Sequence, residues 1–235
     1  MQENLLELEV FNHLQDEVKQ NPEDIQSQIL LGAMMFEPFH ETDKAIAILE
    51  RAIEIEPDNV DAHFWMAKCF YHDYVDLERT QAILQKALAL DAKRADCLSL
   101  MASVITDLGD TPLRRLAYLE QAVKQAPDWI SPRQYLVQTL MEIGDIDRAY
   151  AEVIIALSFV KTQKEIQPSN PVESYYESVV TGRTWFNVEK ELIHLFETIK
   201  RKREPTPSKL RQRQMGRLKA IPVFAMSTPS LMVNG

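Results

Sequence analysis

The sequence predicts an all-α fold: an α-solenoid of four stacked helix pairs, with a capping helix before them and a helical cap after them. Three observations predict it. Pro22, Pro57 and Pro127 fall on a spacing of 35, with Ala92 at the place where a fourth is due, and a fixed period of about 20–50 residues marks stacked units that cannot bury their apolar faces alone. Within each unit, apolar and small residues recur at intervals of three and four, the helical period rather than strand alternation. The chain also has only 6 Gly in 235 residues, and its abundant Ala, Leu, Glu and Gln favour helix.

Taken in order, residues 3–20 form an amphipathic helix with Leu5, Leu6, Val10, Leu14 and Val18 on one stripe. It ends just before Pro22, where the second helix of a unit would end, so residues 1–20 read as a cap on the first unit. In that unit Ile25, Ile29 and Gly32 share one side of a helix, with Leu31 and Met35 beside them. Thr42 then stands as the N-cap of a second helix carrying Ala45, Ile48, Leu49 and Ala52, which must stop at Pro57. The short side chains at Gly32, Ala45 and Ala52 let the paired helices approach. Their counterparts are Ala67, Thr80 and Ala87 one period on, and Ala102, Arg115 and Ala122 after that. The pairs fall at 24–36 with 42–55, 59–72 with 76–90, 94–108 with 112–125, and 131–143 with 145–161. Thr111-Pro112 and Ser131-Pro132 read as Ncap–N1 pairs.

Repeats thus span 21–162, and residues 163–203 form the C-terminal cap. Asn170-Pro171 opens a helix to about Val180, and a second helix from about Thr184 to Arg203 has Trp185, Val188, Leu192, Leu195, Phe196 and Ile199 on the face that docks on the last repeat. Residues 204–235, first basic and then apolar, form a tail, extended or bound to a partner.

The arrangement resembles the tetratricopeptide repeat, whose unit carries Leu-Gly in the first helix, Ala in the second and Pro after it. Matching residues are Leu31-Gly32, Ala45, Leu49, Ala52 and Pro57, then Met66-Ala67, Leu84 and Ala87. Met101-Ala102, Gly109, Leu119, Ala122 and Pro127 serve the third unit, and Leu136-Val137, Gly144, Ala149, Val153 and Ala156 the fourth. The first three units are one residue longer between helices than the fourth, and Arg115 departs from the pattern by replacing an Ala. The resemblance implies a concave groove lined by the first helices. Its positions are Ile29, Ala33 and Phe36 in the first unit and Phe64, Lys68, Tyr71 and His72 in the second. Ser99, Ser103 and Thr106 follow in the third, and Gln134, Gln138 and Met141 in the fourth. An N-terminal half that is apolar and aromatic would meet a C-terminal half that is polar, a surface suited to an extended protein segment with apolar anchors.

The charge is unevenly spread. Residues 1–199 hold 34 acids and 17 bases, a net of −17, while residues 200–235 carry +8. The bases there are Lys200, Arg201, Lys202, Arg203, Lys209, Arg211, Arg213, Arg217 and Lys219, an arm able to meet nucleic acid or another acidic surface. Cys69 and Cys97 make neither a disulfide framework nor a metal cluster. No apolar run approaches the roughly 20 residues that cross a bilayer, and the N-terminus lacks the basic stretch of a signal peptide, so the expected location is cytoplasmic. Nucleophile-and-base patterns, phosphate-binding glycine loops and paired metal ligands are absent from the sequence. The expected function is therefore non-catalytic and without cofactor or metal: an adaptor, assembly subunit or chaperone that holds a partner's segment. The alternative is a nucleic-acid-associated subunit that binds through residues 200–219.

Overall fold

Each of the first two repeats opens where a polar side chain closes the free end of a helix. In the computed structural model, which describes residues 2–37, 39–165 and 188–203, Asp24 accepts from the Ser27 amide at the start of α2 (Ile25–Phe36), and Asn59 from the Ala62 amide at the start of α4 (Val60–Cys69). Asp76 does the same for Arg79 at the start of α5 (Leu77–Leu90). These oxygens satisfy donors that a first helical turn leaves without partners. The other helices are α1 (Gln2–Gln20), α3 (Thr42–Ile55), α6 (Ala95–Asp107), α7 (Pro112–Gln125), α8 (Ile130–Ile143), α9 (Ile146–Glu165) and α10 (Val188–Arg203), and no strand occurs among the described residues.

Two helix starts differ from expectation. Thr42 is the first helical residue rather than the cap. Glu41 holds the cap position without a side-chain bond, and the Thr42 hydroxyl donates to Asp73 of the next unit. Thr111 and Pro112 take their expected places, but α8 starts two residues early behind Trp129, which puts Pro132 third in the helix. A missing N–H there still costs no intrahelical bond.

The pairs α2–α3, α4–α5, α6–α7 and α8–α9 pack antiparallel, and consecutive pairs stack. From the start of a first helix to the start of its second the distance is 17 residues in units one to three and 16 in the fourth, so the extra residue lies inside the unit. In the second unit it is absorbed as a π-helical turn, Phe70–Tyr74, that widens the end of α4. Each turn reverses direction through one left-handed residue: His40 (φ 55), Val75 (φ 51), Gly109 (φ 71) and Gly144 (φ 85).

The small residues sit where the helices touch. A Cβ on Gly32 would stand 2.9 Å from Leu49 Cγ, closer than such contacts allow. Ala45, Ala52, Ala67, Thr80, Ala87, Ala122, Ala149 and Ala156 are all fully buried. A second repeating device ties three of the four units to their own entry: Gln28 Nε2 donates to the Pro22 carbonyl (2.6 Å), His63 Nε2 to Pro57 (2.8 Å) and an Arg133 terminal nitrogen to Pro127 (2.9 Å). The third unit has Leu98 and Ala92 at these places. At the ends of the stack, Val10, Phe11 and Leu14 of α1 cover α2, and Leu192 and Ile199 of α10 are buried against α9 and α8. The helix expected from Asn170 to Val180 and the tail from Glu204 onward lie outside the described residues.

Candidate functional site

The first helices line one side of the stack, and a single substitution divides that side in two. α2 packs on α4, α4 packs less closely on α6, and α6 and α8 meet less still. Between them lies Arg115 of α7, at the register where the other units have Ala45, Thr80 and Ala149. Its Nε donates to Thr139 Oγ1 on α8 (2.8 Å) and one terminal nitrogen to Thr106 Oγ1 on α6 (3.1 Å), while the other pairs with Glu142 on α8. A guanidinium stands where a methyl group is usual, and a cleft of about 240 Å³ lies beside it between the two helices.

Ser103, Thr106 and Asp107 of α6 form one wall of this cleft. Tyr135, Gln138 and Glu142 of α8 form the other, with Tyr71 at the end nearest α4. Tyr71 donates its phenol hydrogen to Asp107 Oδ2 at 2.6 Å. Burial, and then that carboxylate, push the Tyr71 phenol well above its ordinary range, so it stays a neutral donor. Tyr135 is 46% exposed, a large aromatic face open to solvent. Chemically the cleft offers two tyrosine faces, an amide, hydroxyls, two carboxylates and one guanidinium already engaged.

Four of the residues expected from the sequence to line the groove, Tyr71, Ser103, Thr106 and Gln138, come together here. His72 is exposed beside them, its imidazole pKa lowered by burial and then by Lys68. Met141 is half-buried against the core that includes Leu136, Val137 and Leu140, and Ser99 is buried. Gln134 lies under α10, donating to Glu191. The N-terminal half is closed. Ile29, Ala33, Phe36 and Phe64 are at most 4% exposed and form core rather than surface. Lys68 lies over them, Nζ 4.5 Å from the centre of the Trp65 ring and 3.1 Å from Glu37 Oε1, a cation held by aromatic faces and one carboxylate. Sequence reading missed Arg115 as a site residue, together with Asp107, Tyr135 and Glu142. Its departure from the small-residue register was the available signal.

Of the basic arm, Lys200, Arg201, Lys202 and Arg203 form the exposed last turn of α10. Arg203 Nε is 3.1 Å from Asp147 Oδ1, and its guanidinium lies 4.2 Å from the centre of the Tyr150 ring. Lys209, Arg211, Arg213, Arg217 and Lys219 lie outside the described residues. Cys69 and Cys97 are free and buried, and burial pushes the Cys69 thiol up to about 12. Among the described residues no group of three or more His, Cys, Asp or Glu is placed to hold a metal ion, and no helix is long and apolar enough to cross a membrane.

The family model described as the tetratricopeptide repeat matches residues 40–104. No curated protein matches the sequence. Among solved structures, TTC0263, a thermophilic tetratricopeptide-repeat protein of Thermus thermophilus, is similar with a TM-score of 0.56 at 17% identity, over 72% of this chain and 88% of that one. MamA is similar at 0.54 and 17%, over 66% and 90%. YrrB, described as a tetratricopeptide-repeat protein with an unusual peptide-binding site, is similar at 0.53 and 15%, over 86% and 97%. At such identities the likeness is one of fold. The 35-residue pitch, the buried small-residue register and the helix pairs are those of a tetratricopeptide-repeat fold, and residues 40–104 match that family's model.

Proposed function

We propose that this protein is a non-catalytic binding module that holds an extended segment of another polypeptide in the cleft between α6 and α8, as an adaptor, assembly subunit or chaperone. One observation carries the reading: Arg115 bridges α6 and α8 beside a cleft lined by Tyr71, Tyr135, Ser103 and Gln138, groups that stack on and hydrogen-bond to a peptide backbone. A fold built to stack helices into a curved surface supports it, as does the peptide-binding site named for YrrB. The two buried free thiols suit a reducing compartment, and we place the protein in the cytoplasm.

The test is partner capture from the native extract by full-length protein and by Tyr135→Ala combined with Gln138→Ala. Both side chains are exposed, so the variant keeps its melting temperature and loses its partners. Unchanged capture would move the binding surface elsewhere.

A further inference from the structure

The same cleft has the make-up of a site for a positively charged side chain. Asp107 and Glu142 bring two carboxylates on exposed residues, against one guanidinium, Arg115, that Glu142 already holds. Tyr71 and Tyr135 add aromatic faces, which attract cations. A source of cations lies close by in this chain. Arg203, the last residue of α10, is tied to Asp147 and Tyr150 in the first turns of α9, and Asp147 follows Glu142 by five positions across the Gly144 turn. The chain therefore leaves α10 near the rim of the cleft. Beyond Arg203 come 32 residues with five bases and one acid, a net of +4 against −13 for residues 1–203. Six residues of extended chain span up to about 20 Å, so Lys209 and the arginines after it reach the cleft without strain.

We propose that in the free protein the cleft is occupied by this chain's own segment 204–219, with a basic side chain seated between Tyr71 and Tyr135 on Asp107 and Glu142, and that a partner segment binds by displacing it. The inference rests on the reading of the cleft as a polypeptide site and adds what competes for it. A short tether supplies an effective concentration in the millimolar range, so a contact too weak to form between separate molecules is populated within one.

Zero-length carbodiimide cross-linking of the full chain tests it. The expected product joins Lys209 or Lys219 to Asp107 or Glu142 within one chain, falls roughly tenfold between about 0.1 M and about 1 M salt, and disappears when Asp107→Asn and Glu142→Gln are combined. A labelled peptide of residues 205–220 should bind the full-length variant with all five tail bases changed to Gln roughly tenfold more tightly than it binds the wild type. Cross-links that map to other carboxylates, or that join two chains, overturn the proposal. Equal peptide binding to wild type and variant overturns self-occupancy while leaving the cleft a peptide site. No peptide binding to either also overturns it, and partner capture by the Tyr135 and Gln138 variant then decides the proposed function separately.

Discussion

Val75 is a β-branched residue held at φ 51 with two thirds of its surface exposed, at the register where later units use Gly109 and Gly144. A side chain in the left-handed region costs about 1–2 kcal/mol, and glycine adopts it freely. Val75→Gly should therefore raise stability by about 1 kcal/mol in urea unfolding, since little packing is lost. His63 makes a second residue-scale case. Its Nε2–H donates to the Pro57 carbonyl, and burial lowers its pKa below the usual 6.5. The unfolded chain then takes up a proton more readily than the folded one, so this contribution is present above pH 6.5 and is lost as pH falls through the lowered folded value. Gln28 makes the equivalent bond in the first unit without titrating. His63→Gln should keep the bond and flatten the stability profile below about pH 6.5, read from melting temperature against pH. The proline period was visible in the sequence, but the bonds to the proline carbonyls were not. Gln, His and Arg at one register share a donor and little else.

At the scale of the helix, starts and stops were largely legible because capping and proline chemistry act within a few residues. The Thr42 and Ser131 assignments failed where a neighbouring turn competed for the hydroxyl or an earlier residue took the cap. The groove was legible only as a face. Register places Phe36, Phe64, Tyr71 and Gln138 on the same side of the stack, but whether a residue there is surface depends on what covers it. Lys68 and its Glu37 partner seal the first two units, whereas Arg115 lies beside an open cleft between the first helices of the third and fourth. The two halves should accordingly respond differently to truncation. Phe64→Ala should cost about 3–5 kcal/mol, the loss for an aromatic in a packed core, while Tyr135→Ala should change stability by no more than about 0.5 kcal/mol. Chemical denaturation of the two variants checks this. Equal losses would mean that the cleft wall is core too.

At the scale of the molecule, the buried side chains among the described residues form two clusters that meet at α6 and α7. One runs from Val10 to Ile105, and the other from Ala102 to Ile199. In a linear stack each unit is stabilised by its neighbours alone, so damage done in one unit stays near it. Leu140 lies fully buried in the second cluster, and Leu140→Ala removes about 2–5 kcal/mol of packing there. Amide hydrogen exchange should then show lost protection in α7 to α10, where the cleft and the exit of the tail are, with α1 to α4 unchanged. Protection lost evenly along the chain would mean that the two clusters unfold as one. In that case Lys68 and Arg115 would no longer divide the first-helix side into a sealed half and an open one that behave independently, because a partner prising at the cleft would draw on the stability of every repeat.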